Sequence, residues 1–103
     1  MAARGGVRFA FVERLSDKEV ERISSALAEP RRFKILKDLA ARGEPMGCSA
    51  IVEIHQVSNA TISHHLKELE AAGLVELLRD GKFCNIRLCR EVWSGYLARL
   101  AEI

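Results

Sequence analysis

The chain has 103 residues, 49% of them hydrophobic and 29% charged, and a formal net charge of +2. That length suits one domain, and that balance supports a packed core and excludes a disordered chain. A mildly basic total does not select a nucleic-acid partner by itself; the placement of the charges must decide.

Three cysteines, Cys48, Cys84 and Cys89, make an odd count without CxxC spacing. A secreted disulfide framework is therefore excluded in favour of a reducing, cytoplasmic setting. No apolar run approaches the roughly 18–20 residues of a membrane helix. Residues 1–15 read as an N-terminal arm, because the apolar run in MAARGGVRFAFVERL is short and broken by Arg8 and Glu13, unlike a secretion signal. Residues 16–103 read as one folded domain.

Ser16-Asp17-Lys18-Glu19 has the form of a capping box. Val20, Ile23 and Leu27 follow at helical spacing, so a first helix is expected to end near Glu29. Pro30 can open a second helix, since its missing N–H is not needed there. Phe33, Leu36 and Ala40 form its stripe, flanked by Ile35 and Leu39, and Gly43 stops it. Residues 44–47 read as a loop. A short third helix over about Cys48 to His55 is expected to carry Ile51 and Ile54 inward, with a tight turn at Gln56-Val57.

Ser58 suits an N-cap, Ile62, Leu66 and Leu69 suit a buried stripe, and Gly73 suits a helix stop. Leu74 to Arg79 reads as a strand, Asp80-Gly81 as a hairpin turn, and Lys82 to Leu88 as the return strand. A last helix over about Glu91 to Ala101 places Val92, Tyr96 and Leu100 on one face, beside Trp93 and Leu97. The expected fold is mainly α with a small β-hairpin, in the order α-α-α-α-β-β-α. A short helix, a tight turn and a second helix followed at once by a hairpin is the pattern of a winged helix-turn-helix.

Two adjacent histidines in SNATISHHLKELE raise the question of a metal or catalytic pair. Neighbouring helical residues are separated by about 100°, so His64 and His65 cannot share a target. Neither has the i,i+4 histidine that a helical metal site prefers. His65 falls with Ile62, Leu66 and Leu69, as a partly buried residue with a satisfied ring nitrogen. His64 falls with Asn59, Ala60, Ser63 and Lys67, a face with nothing aliphatic larger than alanine. Such a face is ordinarily solvated, but small residues also let a helix enter the major groove, where Asn, Ser and His can bond base edges or phosphates.

Charge placement favours DNA. Arg31, Arg32, Lys34, Lys37 and Arg42 crowd the second helix, and Arg79 and Lys82 flank the hairpin tip. Basic groups on either side of a small polar helix would hold phosphates while the helix reads bases. The candidate DNA contacts are Arg32, Ser58, Asn59, Ala60, Thr61, Ser63, His64, Lys67, Arg79 and Lys82. The expected partner is a double-stranded operator with an inverted repeat.

The segments ALAEPRRFKILKDL and VSNATISHHLKELEAAGLVELLRDGKFCNIRL resemble the ArsR/SmtB family of winged-helix repressors, over about residues 20 to 90. The resemblance implies a homodimer whose first and last helices pair across the two-fold axis. It also implies that Ser58 to Leu69 is the recognition helix, with Asn59, Ala60, Ser63 and His64 at DNA-contacting positions. Two metal sites of the family do not carry over. A Cys-Val-Cys site at the third helix is replaced here by Gly47, Cys48 and Ser49. An Asp and His site on the last helix has no counterpart in EVWSGYLARLAEI. No metal and no cofactor is expected, and the inducer is not legible.

Val20, Ile23, Leu27, Trp93, Tyr96, Leu97 and Leu100 are the candidate dimer interface, although the same residues would serve equally as internal core. Cys84 alternates with Ile86 and Leu88 and is expected to face inward as a small hydrophobe. Cys89 is expected to be more exposed. Cys48 opens a helix whose dipole would lower its thiol pKa. A redox or arsenical sensor built on these three thiols is the alternative reading; a protein-binding winged-helix module is another. A Cys48–His55 catalytic pair would lie nearly two helical turns apart, beyond hydrogen-bond reach, so no enzyme is expected.

Overall fold

The computed structural model describes residues 14–103; positions 1–13 of the expected arm lie outside the described residues. Helix α1 spans Asp17–Leu27, and its capping box is formed. The Ser16 hydroxyl accepts from the Glu19 N–H at 3.1 Å, and the Glu19 carboxylate accepts from the Ser16 N–H at 2.7 Å. The helix ends before Glu29 because that residue precedes Pro30 and is held extended, as pre-proline sterics demand. Glu29 then becomes the N-cap of α2 (Pro30–Arg42), accepting from the N–H groups of Arg31 and Arg32.

The inward face of α2 is Ile35, Leu36 and Leu39. Phe33 and Ala40, expected in the buried stripe, face outward instead. Apolar residues stand on several sides of this helix, so its sequence leaves the rotation ambiguous. Packing against α1, α4 and the sheet decides it. Gly43 ends α2 at φ 75°, where a side chain would be strained.

Residues 46 and 47, read as loop, form a short strand, β1 (Met46–Gly47). It pairs antiparallel with the wing strand β3 (Phe83–Leu88), which also pairs with β2 (Val75–Asp80), in the order β1-β3-β2. Met46 opposite Ile86 makes this sheet edge part of the core, since both are buried. The hairpin loop is one residue later than expected. Asp80 pairs with Phe83, leaving Gly81 and Lys82 as the two loop residues. Gly81 has φ 63° and Lys82 does not share the positive φ, the pattern of a type II′ turn with glycine first.

Helix α3 (Cys48–His55) buries Ile51 at 1% exposure, but Ile54 is 52% exposed, not inward. His55, not Ile54, completes the inner side of this two-turn helix. Gln56 takes the left-handed C-cap conformation at φ 52° and turns the chain sharply. Helix α4 (Asn59–Ala71) follows, with Ser58 as its N-cap. Its C-terminus is a Schellman motif: the Leu74 N–H donates to the Leu69 carbonyl and the Gly73 N–H to the Glu70 carbonyl.

Helix α5 (Arg90–Leu100) lies against α1. The Tyr96 ring is buried and its hydroxyl meets the Ser24 hydroxyl at 2.8 Å. Arg99 donates to the Leu15 carbonyl and to Asp17. Gly95 permits this approach, because a Cβ there would stand 3.3 Å from Leu15 Cγ. The arrangement is a winged helix-turn-helix: α3, the turn and α4, followed by the β2–β3 wing.

The α3 correction is testable by truncation. Ile51→Ala should cost about 2–5 kcal/mol of unfolding free energy, whereas Ile54→Ala should stay within about 0.5 kcal/mol of the parent. Urea titrations of the two variants measure both values.

Candidate nucleic-acid interface

Helix α4 divides into two faces. Ile62, His65, Leu66 and Leu69 are buried, while Asn59, Ala60, Ser63, His64 and Lys67 are exposed. The second set occupies consecutive turns on one side of the helix. Ser58 and Thr61, expected as DNA contacts, have another task. The Ser58 hydroxyl accepts from the Thr61 N–H and bonds the Thr61 hydroxyl at 2.9 Å, and Thr61 is only partly exposed. Their side chains hold the first turn, and Asn59, Ser63 and His64 remain the free polar groups.

The two histidines separate as the helical angle requires. His64 is exposed and His65 is buried, although their rings still lie 5.6 Å apart between centroids. Arg32 donates to His65 Nδ1 at 3.3 Å, so Nε2 carries the ring proton, and it faces the Glu29 carboxylate at 3.9 Å. Burial pushes the His65 pKa below the ordinary imidazole value, reinforced by Arg32 and opposed by Glu29. Glu29 itself is pushed up by partial desolvation, but the N–H groups of Arg32 and Arg31 outweigh this and hold its carboxyl below the usual range.

Arg32 was expected to hold phosphate. Its Nε instead donates to the Ala26 carbonyl at 2.7 Å while Nη1 reaches His65, so the side chain braces α1, α2 and α4. A buried imidazole and a helix-terminal carbonyl both need partners, and this guanidinium supplies them. Arg31 is also turned inward. It donates to His55 Nδ1 at 3.3 Å, and His55 Nε2 donates to Asp38 at 3.0 Å, tying α2 to α3. Sequence reading missed this bridge because residues 17 and 24 positions apart carry no local spacing signal. Lys34, Lys37 and Arg42 are the exposed cations of α2.

On the wing, Arg79 and Lys82 are exposed, and Lys82 Nζ sits 5.7 Å from the Phe83 ring centroid. Arg87 is paired across the strands with Glu76 at 2.6 Å. Among the candidate dimer residues, Ile23 and Tyr96 are buried within the protomer itself through the contact of α1 with α5, which is the internal-core side of the two readings open in the sequence. Val20, Leu27 and Trp93 lean partly on the same core, and Leu97 and Leu100 are exposed.

All three cysteines are free and partly buried. Burial raises the Cys48 thiol pKa, with Cys84 adding to the effect and Arg79 opposing it. This reverses the lowering expected from the α3 dipole. Burial likewise raises the Cys89 thiol pKa; Cys89, expected to be the more exposed, is half-buried like the other two. Among the described residues no three His, Cys, Asp or Glu side chains gather as metal ligands. No helix there is long and apolar enough to cross a membrane.

A small polar helix face on a helix-turn-helix with a wing defines a class of transcriptional regulator domain. A helix-turn-helix domain model matches residues 27–77. The arsenical resistance operon repressor of Bacillus subtilis is 31% identical over 81 residues, 79% of this chain and 76% of that protein. The repressor of the same name from Staphylococcus xylosus is 39% identical over 67 residues, 65% of this chain and 62% of that one. A homodimeric winged helix-turn-helix DNA-binding domain from Mycobacterium bovis, solved in solution, is 28% identical with a TM-score of 0.68, covering 99% of this chain and 90% of that one. The chain belongs to the ArsR family of winged helix-turn-helix transcriptional regulators. It spans 47 to 65% of the length of three of the curated relatives it matches, the S. xylosus repressor among them.

The environment of His65 sets a pH dependence. An unfolded chain takes up this proton near the ordinary value of 6.5, whereas the folded protein resists it to lower pH. The contribution is therefore present above about pH 6.5 and is lost as pH falls. The urea midpoint should drop between about pH 7.5 and pH 5.5, and His65→Gln should flatten that drop. The Glu29 contribution is lost only below its ordinary value of 4.5, so the two windows are separable.

Proposed function

We propose that this chain is a homodimeric, sequence-specific DNA-binding repressor of the ArsR type, acting in a reducing cytoplasm without the two metal sites described above. The observation that carries this reading is the division of α4. Its apolar face is locked into the protomer, and Asn59, Ala60, Ser63, His64 and Lys67 are left as a small, polar, exposed surface. Side chains of this size and chemistry fit a major groove and can bond base edges. Arg79 and Lys82 on the wing and the exposed cations of α2 supply phosphate contacts, which position the protein without reading sequence.

Leu97 and Leu100, exposed near the end of α5, are the surface for a second copy, with Val20, Leu27 and Trp93 beside them. Relatives include arsenical resistance operon repressors, and the M. bovis domain is a homodimer; both support this assignment. A two-fold dimer would set its two α4 helices about one DNA turn, roughly 34 Å, apart and so read an inverted repeat.

Genomic fragments selected by the purified protein provide the operator for the test. Ser63→Ala and His64→Ala should each lower the ratio of specific to nonspecific affinity by about 5- to 150-fold, equivalent to about 1–3 kcal/mol. Arg79→Ala and Lys82→Ala should weaken binding to all sequences, each reducing the magnitude of the salt slope by about one. Unchanged discrimination in both α4 variants would remove the assigned role.

Oligomeric state is read separately. Sedimentation of a Leu97→Glu, Leu100→Glu double variant should show a folded monomer where the parent is a dimer. A variant that remains a dimer places the interface elsewhere.

A further inference from the structure

We propose that the cleft between α2, the end of β3 and α5 binds a small aromatic carboxylate. Phe33, Leu36, Lys37, Ala40, Leu88 and Trp93 line an open cleft of about 190 Å³ there. Leu36 and Leu88 are buried and form an apolar floor. Ala40 is small enough to leave the space open. Phe33, 52% exposed on the outer side of α2, and Trp93, partly buried on α5, provide two aromatic walls.

Size and charge select the ligand. A dry apolar cavity of about 150 Å³ accepts benzene, so this cleft accommodates one six-membered ring and a short substituent. Lys37 is the charged residue in the lining, and among the described residues no carboxylate lines it. Arg90, whose guanidinium donates to the Ala40 carbonyl at 3.2 Å, lines the adjoining cleft together with Glu44, Arg87 and Glu91, so Lys37 alone supplies the charge of this one. Two aromatic faces would also suit a quaternary ammonium, but Lys37 repels one, whereas a carboxylate gains a charge-assisted hydrogen bond. The larger cleft between α1 and α4 has the opposite character. Lys18, Glu21, Arg22, Arg32 and Glu68 line it with mixed charge and no aromatic wall, which suits water.

Trp93 is the single tryptophan of the chain and borders both this cleft and the surface assigned to a second copy, so its emission against benzoate is read at fixed protein concentration. Benzoate added to the free, full chain should change that emission saturably, with half-saturation below about 10 mM. Lys37→Met should weaken benzoate at least tenfold and leave the neutral probe benzyl alcohol unchanged, while Phe33→Ala should weaken both. Lys37 and Phe33 are both exposed, so the variants should keep the parent melting temperature.

An unsaturable response, or equal benzoate affinity in parent and Lys37→Met, overturns the proposal. So does an emission that follows protein concentration and ignores benzoate, which would mean that a second copy fills the cleft. Binding is read without DNA, so the result is independent of the interface assigned to α4.

Discussion

The burial of Ile62, Leu66 and Leu69 is the contact on which the rest of this structure depends. Residues on a helix are separated by about 100°, so placing these three in the core forces Asn59, Ala60, Ser63, His64 and Lys67 into solvent. The presented surface is thus a geometric consequence of packing. The caps define its extent: Ser58 organises the first turn, and the Schellman motif at Gly73 closes the last. Without both ends, a 13-residue helix would be marginal by itself, and its registration against the core would loosen.

Around that contact, α2 acts as the common support. Its apolar side reaches α1, α4 and the sheet. Its first turn carries two arginines that are turned inward, Arg31 to His55 of α3 and Arg32 to His65 of α4. Both helices of the helix-turn-helix are therefore attached to one helix by matched polar links. Buried imidazoles need partners, and the low dielectric beneath a packed surface makes an unmatched one expensive. The same pairing removes Arg31 and Arg32 from the exposed cations and leaves Lys34, Lys37 and Arg42 to present positive charge.

The connection between α1 and α5 has a different physical basis. Tyr96 is buried and bonded to Ser24, which places an apolar ring and a satisfied hydroxyl between the two helices. Arg99 reaches Leu15 and Asp17, and Arg14 pairs with Glu102. Exposed ion pairs of this kind add little stability; the buried ring and the close approach of Leu15 to Gly95 set the geometry. What remains uncovered, Leu97 and Leu100, is apolar surface that one protomer does not use.

Local chemistry made most of the elements legible in the sequence alone. The capping box at Ser16, Pro30 at a helix start, the Ser58 cap and the Gly43 and Gly73 stops all act within a few residues. The inward stripe of α4 and the division of His64 from His65 follow from helical spacing. Long-range contacts decided the rest. Pairing of Met46 with Ile86 created β1, and pairing of Asp80 with Phe83 moved the turn to Gly81-Lys82. The rotation of α2 and α3 exposed Phe33 and Ile54 and buried His55, because apolar residues stood on more than one side of each helix and neighbouring elements selected among them. Arg32 read as a phosphate contact by type and position, yet it is engaged by His65, distant in the chain; Ile23 and Tyr96, open in the sequence to an interface or a core, are taken by the internal core. The sequence by itself determined which segments form helices and which side of α4 is free, since those depend on nearby residues. Only the tertiary structure decided which charges and apolar groups remain outside, since that depends on what each meets across the fold.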